Sequence, residues 1–371
     1  MTQVHRKPAA RPRAAAMLGI WPGRITALAE AGDALVVAVW DAAARRSRLI
    51  RLEADGAEAE LTLPAGAATA PVLAMARMQG TSDAAPRLYV VCSADSGGLV
   101  LAVDDTGAAE VVLGPRHGFR CGIGAACLWA GRLALATGPA AGGMIGGGFA
   151  PASLIVSDDP ARPDSWQPFC EPGLGDADND GISALAAEDD RLWLATSNPL
   201  RGFQLWTMAN PAAEGWEQRL DEGAARYGMN ARLTAIQPWN GALLLATGCE
   251  SEDPLPHVAP ELLRLDGDGD WDLLVGEPRF SRQGMQVPAA LFGPGFDSDC
   301  DRIALAGTGD ALFAATCFGA GGRSSLYRST DGETWEEIGA TVFGDDVPES
   351  ADLHALGGRL HIAAGGMLLA L

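Results

Sequence analysis

A short aliphatic run flanked by turn residues returns seven times along this chain. The runs start at Leu35, Leu88, Leu133, Leu192, Leu243, Leu312 and Leu360, at spacings of 53, 45, 59, 51, 69 and 48 residues. The clearest copy lies between Arg302 and Gly339. There Ile303 to Ala306, Ala311 to Thr316, Ser325 to Arg328 and Trp335 to Ile338 read as four strands, with turns at Gly309-Asp310 and Asp331-Gly332. Runs this short, bounded by Gly and Asp, suit antiparallel strands better than helices. A four-strand unit recurring at roughly 40–50 residues predicts a propeller rather than a solenoid.

The last copy is one strand short. Leu353 to Leu356, Leu360 to Ala364 and Met367 to Leu371 supply three strands, and an unassigned apolar segment, Ala14 to Ile20, stands before the first copy. Pairing it with Met367 to Leu371 covers an edge that would otherwise be exposed. The expectation is an all-β, seven-bladed propeller of four-stranded antiparallel blades, closed by its N-terminal strand. It forms one domain over 13–371, behind a disordered basic tail over 1–12.

Composition narrows the function classes. A formal net charge of -20 argues against a nucleic-acid partner, which needs Lys and Arg in excess, and against anionic membranes. Lys7 is the single lysine, so a desolvated Schiff-base lysine is not expected. Seven cysteines without a CxxC spacing indicate neither a disulfide framework nor a zinc ribbon. With no signal peptide and no run of about 18 apolar residues, a cytoplasmic protein is expected.

In such a blade the 1→2 and 3→4 connections share one face, and the 2→3 connections and blade crossovers share the other. All 1→2 turns read as short, whereas length gathers in the 2→3 loops Gly138 to Ala152 and Gly248 to Pro260 and in several crossovers. Loops held by a rigid scaffold carry function, so the crossover face is the expected site of a small-molecule or protein partner. Arg120, Asn230, Arg232, Arg302 and Asp352 are the polar residues expected to meet a ligand there.

Two constellations suggest a divalent cation. Asp176, Asp178, Asp180 and Gly181 have the D-x-D-x-D-G spacing of a calcium loop, although position twelve is Ala187 and not the bidentate Glu. With that Glu missing and no helix pattern on either flank, an Asp/Asn-capped crossover turn is the favoured reading. His117, His257 and His354 suit zinc, iron or copper if they converge at the mouth. An acid/base site there would use His117, His354 and Asp301. Trp166, Trp216, Trp271 and Trp335 open outer strands and read as inter-blade packing, while Trp21, Trp129 and Trp239 fall outside that pattern.

Ser329-Thr-Asp331-Gly332-Glu-Thr334-Trp335 resembles the Asp-box of bacterial-neuraminidase-type repeats, S/T-x-D-x-G-x-T-W, with one residue fewer. Asp266 to Trp271 and Ser157 to Trp166 are degenerate relatives. The resemblance implies a structural hairpin between strands 3 and 4 of a propeller, in a group that holds sialidases, other glycosidases and non-catalytic rings. Sialidases also carry an arginine triad and a Tyr–Glu pair, and Tyr89, Tyr227 and Tyr327 show no such setting. The resemblance therefore speaks for the fold and not the activity. Two functions remain: a binding protein using its long-loop face, or a metal- or acid/base-assisted lyase, hydrolase or cyclase at the axial mouth.

Overall fold

The computed structural model describes residues 15–94, 97–138, 152–212, 215–249, 258–267, 269–289, 300–318 and 322–371. They form seven four-stranded antiparallel sheets arranged as propeller blades, plus one two-stranded hairpin. The basic tail, His257 and residues 139–151 of the Gly138 to Ala152 loop lie outside the described residues.

In each blade the chain zigzags outward from an inner strand. The inner strands are Arg24–Ala31, Val72–Met78, Gly122–Trp129, Gly181–Glu188, Arg232–Trp239, Arg302–Gly307 and Asp352–Leu356. In blade 7 the order from the outside is Ala16–Ile20, Met367–Ala370, Arg359–Ala364, Asp352–Leu356, so the first strand of the chain is the outer strand of the last blade. The second strands are almost wholly buried, which explains their continuous aliphatic runs: both faces pack against neighbouring blades.

Among the described residues the buried apolar side chains fall into seven clusters, one at each junction between blades. Trp21, Trp129 and Trp239 belong to this packing. Trp129 is fully buried and donates Nε1–H to the Asp190 carbonyl of the next blade at 2.6 Å. Trp239 does the same to Thr308 at 3.2 Å, and Trp21 donates to Glu58 at 3.0 Å. The outer-strand tryptophans also bridge blades: Trp216 stacks edge-on against Phe169, with ring centroids 6.4 Å apart.

The hairpin after the third strand of blade 6 has the hydrogen bonds its sequence asks for. Asp331 Oδ1 accepts from the Glu333 and Thr334 amides at 3.0 and 2.7 Å, and Ser329 Oγ accepts from Gly332 at 2.9 Å. Side-chain oxygens replace backbone partners in a turn too tight for ladder bonds.

The expectation about connection length needs one correction. The 1→2 connection of blade 2, residues 79–86, is long and built around a buried aspartate. Asp83 accepts from Tyr89 Oη at 2.6 Å and from the Gly80 amide at 3.0 Å, and pairs with Arg87 at 3.3 Å. Among the described residues, six short turn or helical segments in blade crossovers, and the hairpin Arg279–Ser281/Gly284–Gln286 within the crossover to blade 6, sit on the opposite face. That hairpin carries no hydrophobic alternation and is absent from the sequence reading.

Candidate functional site

Each inner strand enters from the crossover face, so its first residues ring the axial mouth. Three charged side chains meet there. Arg24 opens the inner strand of blade 1, Arg302 that of blade 6 and Asp352 that of blade 7. Asp352 Oδ2 accepts from Arg24 Nη2 at 2.9 Å, and its other oxygen, Oδ1, accepts from Arg302 Nη2. One carboxylate thus joins two guanidiniums across three blades. Burial pushes the Asp352 carboxyl up, but Arg302 and Arg24 more than offset this and hold it below the usual carboxylate range.

Beneath this cluster lies a cavity of about 380 Å³, lined by the inner strands of blades 1, 2, 5, 6 and 7. The inner strands of blades 1 to 5 each shift register once, at Ile25/Ala27, Val72/Ala74, Ile123/Ala125, Ile182/Ala184 and Leu233/Ala235, whereas blades 6 and 7 pair without a shift. A bulge re-aims the residue it inserts. The inserted Thr26, Leu73 and Thr234 all line the cavity. Leu305 and Leu353, mostly buried in the blade cores, add apolar edges to the wall, and His354 lies deeper along the blade 7 strand. Burial pushes the His354 imidazole down to about 4, against the pull of Asp352, so the ring is neutral at neutral pH. Its Nε2 is buried without a hydrogen-bond partner, and so is Thr26 Oγ1.

Arg302, Asp352 and His354, singled out from sequence, are brought together here, and Arg24 joins them. Its signal is a charged residue directly before an aliphatic one at an inner-strand start: Arg24-Ile25, Arg232-Leu233, Arg302-Ile303 and Asp352-Leu353. Arg232 shares a strand with the cavity residues Thr234 and Ala235, but its own side chain packs toward Gly248. The other expected residues lie elsewhere. His117 sits in a short helical turn, Pro115–His117, between blades 2 and 3 and away from the cavity lining. Arg120 is exposed beyond that turn, and Asp301 is exposed, its amide bonded to the Cys317 carbonyl at 2.8 Å.

Asn230 is fully buried and serves the fold instead of a ligand. Its side-chain amide donates to the Gly223 carbonyl at 3.0 Å and to Glu261 Oε2 at 2.8 Å. Glu261, likewise fully buried, also accepts from Arg279 at 2.8 Å and pairs with Arg226 at 3.5 Å. This ionic cluster pins the crossovers on either side of blade 5.

The aspartates with calcium-loop spacing do not gather around a point. Asp176 Oδ1 accepts from the Asp178 amide at 3.0 Å in an Asx turn, and Oδ2 accepts from Gln204 at 3.0 Å. Arg201 lies 3.7 Å from Asp176 and 3.8 Å from Asp178. The Asp180 amide donates to Ser197. A turn amide and Gln204 thus occupy the Asp176 carboxylate, with the Arg201 guanidinium beside it and Asp178. Among the described residues no three His, Cys, Asp or Glu side chains form a metal-holding group. No two of the seven cysteines form a disulfide, and no described helix is long and apolar enough to cross a membrane.

No family model and no curated protein matches this chain. Solved structures do. An ancestral GH74 enzyme aligns with a TM-score of 0.61 at 12% identity, covering 95% of this chain and 48% of that one. One of two prolyl endopeptidases aligns at 0.58 and 10%, covering 95% and 50%. A puromycin hydrolase aligns at 0.56 and 15%, covering 96% and 55%. This chain spans about half the length of each. At such identities the likeness is one of fold: the chain is a seven-bladed β-propeller.

Proposed function

We propose that this protein is a cytoplasmic ligand-binding propeller that holds a small molecule at its axial mouth, on the crossover face. The observation that carries the reading is the cavity of about 380 Å³ beneath the Arg24–Asp352–Arg302 cluster. It falls in the range of small-molecule sites, which pair apolar walls with a few convergent polar groups. The Asp331 hairpin supports kinship with Asp-box propellers, and cysteines that form no disulfide suit a reducing compartment.

Equilibrium dialysis of the purified protein against a cell extract, followed by mass spectrometry, tests the reading. Leu73→Trp fills the cavity from a partly exposed wall position. Molecules enriched by the wild type and not by this variant support axial binding. The same set enriched by both proteins rules it out.

The enzymatic reading, a lyase, hydrolase or cyclase, keeps one observation in its favour: His354, neutral and unpartnered at Nε2, shares the cavity wall with Asp352. It requires that an enriched molecule be consumed over time by the wild type and not by His354→Gln.

A further inference from the structure

We propose that the axial cavity takes a small organic molecule carrying one negative charge, a monocarboxylate with a compact apolar body, whose carboxylate docks against Arg24 and Arg302. This rests on the axial-mouth reading above and adds the chemical class of the ligand.

Charge is the first argument. The chain carries a formal net charge of -20, yet the cavity wall holds two guanidiniums and one carboxylate. With His354 neutral, that wall is singly positive. A concave site of one sign on a molecule of the other concentrates the counter-charged ligand. A cation would face two arginines, and a dianion would exceed the charge available to it.

Donor geometry is the second. A guanidinium has five N–H donors in a fixed fork. Arg24 and Arg302 each give one nitrogen, Nη2, to Asp352. Asp352 therefore fixes both forks at the rim and leaves further N–H groups for a second carboxylate, the planar partner such forks fit best. The Arg24 side chain is 57% exposed and the Arg302 side chain 29%, so the ligand reaches them without opening the fold.

The third argument is the wall below. Leu73, 37% exposed, offers apolar surface to the ligand's body, with the edges of Leu305 and Leu353 beside it. Thr26 Oγ1 and His354 Nε2, both from cavity-lining residues, lack partners. Buried polar atoms without partners are scarce and demand an explanation. A polar group at the far end of the ligand, met by a side-chain rotation of either residue, supplies one.

Saturation-transfer NMR on the full chain with phenylacetate, phenylacetamide and phenyl phosphate tests the assignment. Phenylacetate is expected to bind at millimolar concentration and the other two to bind distinctly more weakly. Arg24→Gln removes one charged donor while Arg302 still neutralises Asp352. It is expected to weaken phenylacetate about tenfold or more, with near-ultraviolet circular dichroism unchanged. Equal binding of the amide, tighter binding of the phosphate, indifference to Arg24→Gln, or no binding by any of the three overturns the monocarboxylate assignment. Leu73→Trp separates the two levels. If the wild type binds acid and amide equally and this variant binds neither, the axial mouth stands and the ligand class falls. If phenylacetate binds that variant as before, the mouth itself is not the site.

Discussion

Asn179 and Asn230 occupy the same place in consecutive crossovers, each donating its buried side-chain amide to the carbonyl of a glycine in a left-handed turn. The acceptors are Gly173 at 2.8 Å and Gly223 at 3.0 Å. A turn of this hand leaves its carbonyls outside any ladder, and a buried carbonyl needs a partner. Asn230→Ala removes that partner and also uncovers Glu261, and is expected to cost about 2–3 kcal/mol. Asn230→Asp keeps the shape but faces two acceptors with a third, so it is expected to be worse. Urea unfolding midpoints check both. An aspartate variant as stable as the alanine variant would show that the donors are not what matters.

Ring closure depends on a close backbone approach at Gly366. The Trp21 amide donates to the Gly366 carbonyl at 2.9 Å and the Ile25 amide to Gly365 at 2.8 Å. A β-carbon on Gly366 would collide with the carbonyl oxygens of Trp21 and Gly23, and backbone cannot swing aside as a side chain can. Gly366→Ala is expected to lower stability by about 1–3 kcal/mol and to raise proteolysis near residues 15–20 before the rest of the molecule. Protection there equal to wild type would mean that the N-terminal strand does not depend on this junction.

His354 predicts a dependence on pH with a definite sign. The imidazole is depressed from an ordinary 6.5 to about 4 by burial. Between those values the unfolded chain binds a proton that the folded chain refuses, so stability falls as pH drops from about 6.5 to about 4. The depression bounds this contribution at about 3 kcal/mol. His354→Phe removes the group and should flatten that part of the stability curve. Asp352 adds its own loss only at lower pH: its folded value is depressed, so its contribution is present above about pH 4 and disappears below it. Parallel curves for wild type and His354→Phe between pH 6.5 and 4 would refute the assignment.

The blades were legible because their second strands are buried on both faces, which forces an aliphatic run at every repeat. Closure was legible because the last unit lacks a strand and the first apolar segment lacks a blade. The site was half legible. Arg302 and Asp352 are 50 residues apart and Arg24 and Asp352 are 328 apart, so no local pattern joins them; only inner-strand register does. The calcium-type spacing stayed ambiguous because a D-x-D step serves an Asx turn as well as a cation, and the Asp176–Asp178 turn that formed is the reading the missing Glu at position twelve favoured. Asn230 misled because a polar residue in a crossover reads as exposed until its acceptors, Gly223 and Glu261, are seen.

The turn held by Asn230 gives a prediction with an unusual sign. Glu222, Gly223, Ala224 and Ala225 have consecutive φ values of 52, 58, 55 and 63°, a complete left-handed turn with one glycine. Each non-glycine residue there costs roughly 1–2 kcal/mol. The chain tolerates this because Arg226, Asn230 and Arg279 bond the turn's surroundings: Arg279 Nε donates to the Ala224 carbonyl at 3.0 Å, and Arg226 Nη1 donates to the Ala259 carbonyl at 3.0 Å. Glycine relieves the strain but also loosens the unfolded chain, which opposes the gain by about 0.4–1 kcal/mol. Ala225→Gly, at a half-buried position, is therefore expected to stabilise by a few tenths to about 1 kcal/mol, where glycine in ordinary structure destabilises. A fall of more than about 0.5 kcal/mol in the unfolding free energy would show that the segment does not hold this hand in solution.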